Sequence, residues 1–413
     1  MADILRAVIA ANNRGQAVAI PSVCSAHPDV LRASLLLAER LDRALVVEAT
    51  SNQVNQDGGY TGMRPADFIS FVNGLADSTG TGRARVTFGG DHLGPQAWRR
   101  LPADQAMAKA HVMVADYAAA GFSKIHLDCS EGCAGEAAQL PDAATVPRAA
   151  DLARTCAAHA QDVLFVVGTE VPPPGGARAD DAGDIAPTAP AAARATLDAH
   201  MAAFADIGEV GGLVVQPGVE FSPMQVHHLP LTRDPGLRAA IAHHPGVTLE
   251  AHSTDYQHPA AYPRLAELGF GFHKVGPALT FAWRQAVYAL DGLRVMAGWG
   301  GPIVQPAMEA LMLADPGHWQ GHSHGDPDAR RLMRHFGLAD RIRYYWPQPA
   351  AQAAVAALLD DLAGRALPEP LLWQGFAPEV LERAEAIPGP RAQALVLAQV
   401  QVALAPYFFG TAK

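Results

Sequence analysis

The chain has 413 residues, of which 49% are hydrophobic and 17% charged, and its formal net charge is −10. An apolar half is enough to bury a large core, which excludes an intrinsically disordered protein. No run reaches the roughly 18 apolar residues of a membrane span, and the acidic balance argues against nucleic-acid or anionic-membrane partners. The four cysteines (Cys24, Cys129, Cys133 and Cys156) are too few and too irregularly spaced for a disulfide framework. The N-terminus carries Asp3 and a helical stripe of Ile4, Leu5, Val8 and Ile9, unlike a signal peptide, so a soluble cytoplasmic protein is expected.

In chain order, eight short apolar runs each end in a polar or glycine-rich cluster and are followed by a helical segment. They are Val18–Val23, Ala44–Glu48, Val86–Gly90, Lys124–Asp128, Val163–Glu170, Gly212–Gln216, Val247–His252 and Phe272–Gly276. Short apolar strands alternating with helices mark a parallel sheet buried on both faces. Eight such units predict an α/β fold, a (β/α)8 TIM barrel. An open doubly wound sheet is the competing arrangement, because strand order is not written in a sequence. Asp29–Leu41 and Pro102–Ala119 have the spacing of intervening helices. After the eighth run come helices at Leu279–Ala297, Ile303–Leu313, Asp328–Phe336, Ala350–Leu362, Pro378–Ala386 and Arg391–Leu404, separated by Pro/Gly breaks. The expected division is a barrel over 1–285 and a helical C-terminal extension over 286–413 packed on it. Pro172–Pro190, rich in Pro, Gly, Ala and Asp, reads as a long loop that covers the site.

Active sites of such barrels sit at the C-terminal ends of the strands. Here those ends carry Glu48 and Asn52, Asp91-His92, His126 and Asp128, Glu170, Gln216, Glu250 and His252-Ser253-Thr254-Asp255, and His273-Lys274. Burying so many polar groups at one rim costs stability unless each is satisfied, so their clustering points to function. His92, Glu170 and His252, from three strands, suit a divalent ion such as Zn²⁺ with a position open to substrate oxygen; the alternative is three hydrogen-bonded interior residues. Ser253, Thr254, Lys274 and Gly276 stand where barrels often hold phosphate, and Arg341-Ile342-Arg343 adds paired arginines beside aromatics. The one dinucleotide-like string, Gly80-Thr81-Gly82, precedes the third strand, so no NAD site is expected.

The strings EATSNQVNQDGGYTGMRPADF, GGDHLGP, KIHLDCS, GTEVPPPGG, VVQPGVEF, EAHSTDYQ, KVGPALTF and DRIRYYWP resemble the accessory-subunit family of class II tagatose-bisphosphate aldolases, almost end to end. The resemblance implies a barrel of the class II aldolase type. It further implies either a 4-epimerase of tagatose and fructose, as 6-phosphates or free ketohexoses, or a non-catalytic partner of an aldolase subunit. The metal set it implies is His92, Glu170 and His252, with Gln216 at the place of a further metal histidine. Zn²⁺ is expected, with Mn²⁺, Ni²⁺ or Co²⁺ as alternatives. Asp91, Asp128 and Glu170 are the expected proton-transfer groups. Glu48, Asn52 and Asp255 are expected to bind sugar hydroxyls, and Ser253, Lys274 and Arg343 a phosphate or terminal hydroxyl. A homo-oligomer is expected. The hydrogen on C4 of a 2-ketose is not acidic, so epimerisation there calls for retro-aldol cleavage of C3–C4 and re-addition to the other face, assisted by a Lewis acid and an acid/base.

Overall fold

A computed structural model describes residues 2–169 and 185–410. Eight parallel strands close into a barrel in sequential order: Ile20–Cys24, Leu45–Thr50, Val86–Leu93, Lys124–Leu127, Leu164–Gly168, Glu209–Val214, Thr248–Ala251 and Phe270–Val275. Each begins within three residues of its expected run, and closure rules out the open sheet. The expected Gly212–Gln216 strand is Glu209–Val214 instead, which leaves Gln216 in the loop that follows. A two-stranded hairpin, Glu220–Phe221 with Val226–His227, is an addition that the apolar pattern does not announce. Glu170 and the part of the expected covering loop from Pro172 to Asp184 lie outside the described residues.

Side chains alternate in and out along each strand, and the inward set is layered from bottom to mouth. At the bottom, Ile20, Val46, Leu164, Val166, Val214 and Phe272 form an apolar plug with Leu5 and Ile9 of the N-terminal helix Asp3–Asn13. Two residues further along the strands come Glu48, Lys124, Glu250 and Lys274, and beyond them Asp91, His126 and His252. The larger core lies between the outer strand faces and the surrounding helices.

The six expected tail helices are present, from Pro277–Met296 to Arg391–Leu404. The last packs against both Pro277–Met296 and Pro28–Leu41, and Gln401 donates to the Ala33 carbonyl at 3.2 Å. Tyr407 just beyond it donates to the Thr254 carbonyl at 2.9 Å, which ties the chain's end to the loop after the seventh barrel strand. Among the described residues no helix is long and apolar enough to cross a membrane, and all four cysteines are free thiols.

Candidate active site

The third strand ends in a bulge: pairing with the fourth shifts between Gly90 and Leu93, and His92 takes a left-handed backbone with φ 46°. A non-glycine residue held there is strained, and such positions gather at functional sites. The result is that Asp91 and His92, adjacent in sequence, both reach the mouth. His92 meets His126 of the fourth strand and His252 just past the seventh. The ring centroids are 4.8 Å (His92–His126), 4.9 Å (His92–His252) and 5.2 Å (His126–His252) apart. Asp91, His92, His126 and His252 each present a ligand atom within 4.8 Å of the others. His126 belongs to the strand-end clusters read from the sequence but had no role assigned to it there.

Each ring has one nitrogen anchored by an acceptor. His92 Nδ1 pairs with Asp128 Oδ2 at 2.8 Å, His126 Nε2 with the Gly168 carbonyl at 3.0 Å, and His252 Nε2 with Glu250 Oε1 at 2.9 Å. Imidazoles that bind metal are held in this way, the second nitrogen donating to a carboxylate or carbonyl. The other nitrogen of His126 lies 3.2 Å from Asp91 Oδ1 while accepting from the His92 backbone N–H. Three anchored imidazoles and a carboxylate converging from three strands fit a divalent ion.

Below them lies a buried ionic lattice. Lys124 Nζ is 2.6 Å from Glu48 Oε1 and 2.6 Å from Glu250 Oε2, with all three side chains fully buried. Lys274 Nζ lies 2.9 Å from Glu48 and 3.8 Å from Glu250, and also contacts Asp91. Glu48 and Lys124 are on the second and fourth strands and meet across Gly89 of the third. A Cβ at Gly89 would come within 2.7 Å of Glu48 Cγ, so glycine is required by the approach. Burial alone lowers the Lys124 and Lys274 ammonium groups, but the surrounding carboxylates reverse this and raise both. Burial likewise pushes the Asp91 carboxyl up, and His92, Lys274 and His126 outweigh it and hold it well below its usual range. His92 is raised against the pull of burial by Asp91 and Asp128. His252 is lowered, by burial and then by Lys274.

A cavity of about 1620 Å³ opens above this floor, lined by Asn52, Asp91, His92, Asp128, His252, Ser253, Asp255, Lys274 and Arg343 among others. Four expectations are altered by the geometry. Glu48, expected to hold sugar hydroxyls, is buried beneath the floor between two lysines. Gln216, expected to ligate through its carbonyl, has that oxygen engaged by the Gly218 and Val219 backbone N–H groups at 2.8 and 2.9 Å. Asp128 is held between His92 and the Ser130 N–H, which suits orienting the ring more than moving protons. Asp255 caps the helix Pro277–Met296 through the Gly276 and Ala278 N–H groups, and burial raises its carboxyl to about 6. Lys124, His126 and Glu250 had no role assigned from the sequence, yet a signal existed. Lys124-Ile125-His126-Leu127-Asp128 and Glu250-Ala251-His252 alternate polar and apolar residues, and the polar ones all face inward.

Fold and site together define a closed (β/α)8-barrel protein with a histidine–carboxylate centre at its C-terminal rim. Residues 5–412 match the family described as D-tagatose-1,6-bisphosphate aldolase subunit GatZ/KbaZ-like, and the chain belongs to that family. It is 45% identical to a protein of Agrobacterium fabrum named D-tagatose 6-phosphate 4-epimerase, with 100% of this chain and 99% of that one covered. It also resembles the crystal structure of a probable tagatose 6 phosphate kinase from Sinorhizobium meliloti 1021. There the identity is 44% and the TM-score 0.86, over 94% of this chain and 99% of the other.

Proposed function

We propose that the chain is a metal-dependent 4-epimerase that interconverts D-tagatose 6-phosphate and D-fructose 6-phosphate by retro-aldol and aldol steps. The observation that carries the reading is the triad of anchored imidazoles beside Asp91 at the floor of a large cavity. The name of the 45% identical relative supports it.

When bound, the ion supplies Lewis acidity toward the C2 oxygen of the ketose. His92, His126 and His252 would hold it, Zn²⁺ suiting an imidazole-rich set best, with Mn²⁺, Ni²⁺ and Co²⁺ as alternatives. The family resemblance adds Glu170, which lies outside the described residues, as a further carboxylate ligand. Asp91, kept ionised by Lys274, takes the C4 hydroxyl proton as the C3–C4 bond breaks and its electrons pass to C3. The C4 aldehyde then turns its other face, C3 attacks it, and Asp91 returns the proton to the C4 oxygen. Asn52 and Ser253 line the cavity where they can hold hydroxyls. Asp128 and Glu250 keep the His92 and His252 rings oriented throughout.

The test is to purify the chain alone, quantify its divalent metal, and incubate it with tagatose 6-phosphate and with free tagatose. Fructose 6-phosphate from the first is expected. Failure to form a C4 epimer from either, with activation of a separate tagatose-bisphosphate aldolase on mixing, would establish the accessory-subunit role instead. Self-association into a homo-oligomer and a cytoplasmic setting complete the proposal; sedimentation of the purified chain tests the first.

A further inference from the structure

The usual phosphate cradle of a barrel, at the loops after the seventh and eighth strands, relies on free N–H groups at a helix N-terminus. Here a carboxylate already fills it: Asp255 Oδ1 accepts from Gly276 N and Ala278 N at the start of helix Pro277–Met296. The neighbouring Lys274 ammonium is engaged by Glu48, Asp91 and Glu250. A phosphate placed there would face a carboxyl group and a lysine whose charge is already matched.

Positive charge without a direct carboxylate contact lines the same cavity elsewhere, on the Arg341–Tyr345 turn of the C-terminal region. The guanidinium carbons of Arg341 and Arg343 each lie 4.5 Å from the centre of the Tyr344 ring. Both donate to the Tyr344 hydroxyl, at 3.3 and 3.0 Å. Their remaining bonds go to main-chain carbonyls: Arg341 Nε to His318 at 2.6 Å, and Arg343 Nη1 to Ala339 at 2.6 Å and Asp340 at 3.1 Å. Among the described residues neither arginine has a carboxylate oxygen within 4.0 Å. Two half-buried guanidinium groups are fixed by carbonyls and a phenol with no carboxylate in contact; Asp340 offsets Arg343 only at longer range, which leaves charge that a bound dianion can match. Tyr60, from the loop after the second strand, packs edge-on against Tyr344 at 4.9 Å, which joins the arginine pair to the wall shared with Asn52.

We infer that Arg341 and Arg343 form the subsite for the phosphate monoester of the substrate, supplied by the C-terminal extension instead of the strand loops. The identity of the substrate rests on the epimerase reading; the anion subsite rests on the arginine pair. Arg341→Met and Arg343→Met should each weaken binding of inorganic phosphate to the metal-loaded chain by 10-fold or more in calorimetry, consistent with loss of a charge-assisted contact. The KM for tagatose 6-phosphate should rise by about 10- to 100-fold. Thermal melts report folding. Should a Met variant unfold, Arg341→Lys or Arg343→Lys keeps the charge and loses the fork, and a several-fold weakening is expected. Folded variants with wild-type phosphate affinity would overturn the assignment, as would loss of phosphate binding on Ser253→Ala with the arginine variants unaffected. Arginine-dependent phosphate binding by a chain that forms no C4 epimer would uphold the subsite and refute the epimerase. Epimerase activity with arginine-independent phosphate affinity would do the reverse.

Discussion

Replacing Lys124 by Met tests the ionic lattice under the site. Its ammonium lies 2.6 Å from one oxygen each of Glu48 and Glu250, with no solvent access to any of the three. At an effective dielectric constant of about 20, each contact is worth roughly 6 kcal/mol before desolvation. Desolvation cancels much of this, and removing one partner of a buried pair costs about 3–5 kcal/mol, because the remaining charge stays buried. Lys274 remains 2.9 Å from Glu48 and 3.8 Å from Glu250, so part of the loss is offset. The expected destabilisation is therefore at the lower end, about 3 kcal/mol, in urea denaturation at pH 7 with an unchanged slope. Because Glu250 also anchors His252, the variant should hold divalent metal less tightly in the same preparation. A loss below about 1 kcal/mol with wild-type metal affinity would refute both the energetics and the link from lattice to imidazole.

His126→Ala should lower divalent-metal affinity by roughly 100-fold or more in chelator competition, since it removes a ligand and not merely its support; unchanged affinity would remove that ring from the centre. Gly89→Ala should cost about 1–3 kcal/mol in chemical denaturation, because the added methyl meets Glu48 Cγ at 2.7 Å and pushes it from Lys124; a neutral variant would mean the lattice has slack. Asp255 has a folded pKa of about 6 against an ordinary 3.8, so its protonated form favours folding and that advantage is lost as pH rises through about 6. Asp255→Asn keeps an acceptor for the Gly276 and Ala278 N–H groups and should gain about 2 kcal/mol on the wild type between pH 4 and pH 7. Parallel stability profiles of the two proteins over that range would contradict the raised carboxyl.

The barrel was legible because its strands are buried on both faces and so read as apolar runs separated by turns. Strand ends were also readable, and they led to Asp91, His92, His252 and Lys274. His126 and Glu250 stand in the same strand-end strings without an assigned role, although they lie two places before Asp128 and His252 and face the same way; Lys124, two places before His126, shares that face. Gln216 and Asp255 have partners that a sequence does not show. Gln216 Oε1 and Asp255 Oδ1 accept from backbone N–H groups of a turn and a helix start, partners that exist only after folding. Glu48 sits between lysines from the fourth and eighth strands, a meeting no local pattern records.

The central claim is that the chain epimerises C4 by breaking and remaking C3–C4. Turnover of tagatose 6-phosphate by the metal-loaded chain in D₂O, followed by NMR, tests it most directly. Retro-aldol chemistry leaves the C4–H bond intact, so the account predicts fructose 6-phosphate carrying protium at C4. Deuterium at C4, or recovery of tagatose 6-phosphate alone, would contradict it.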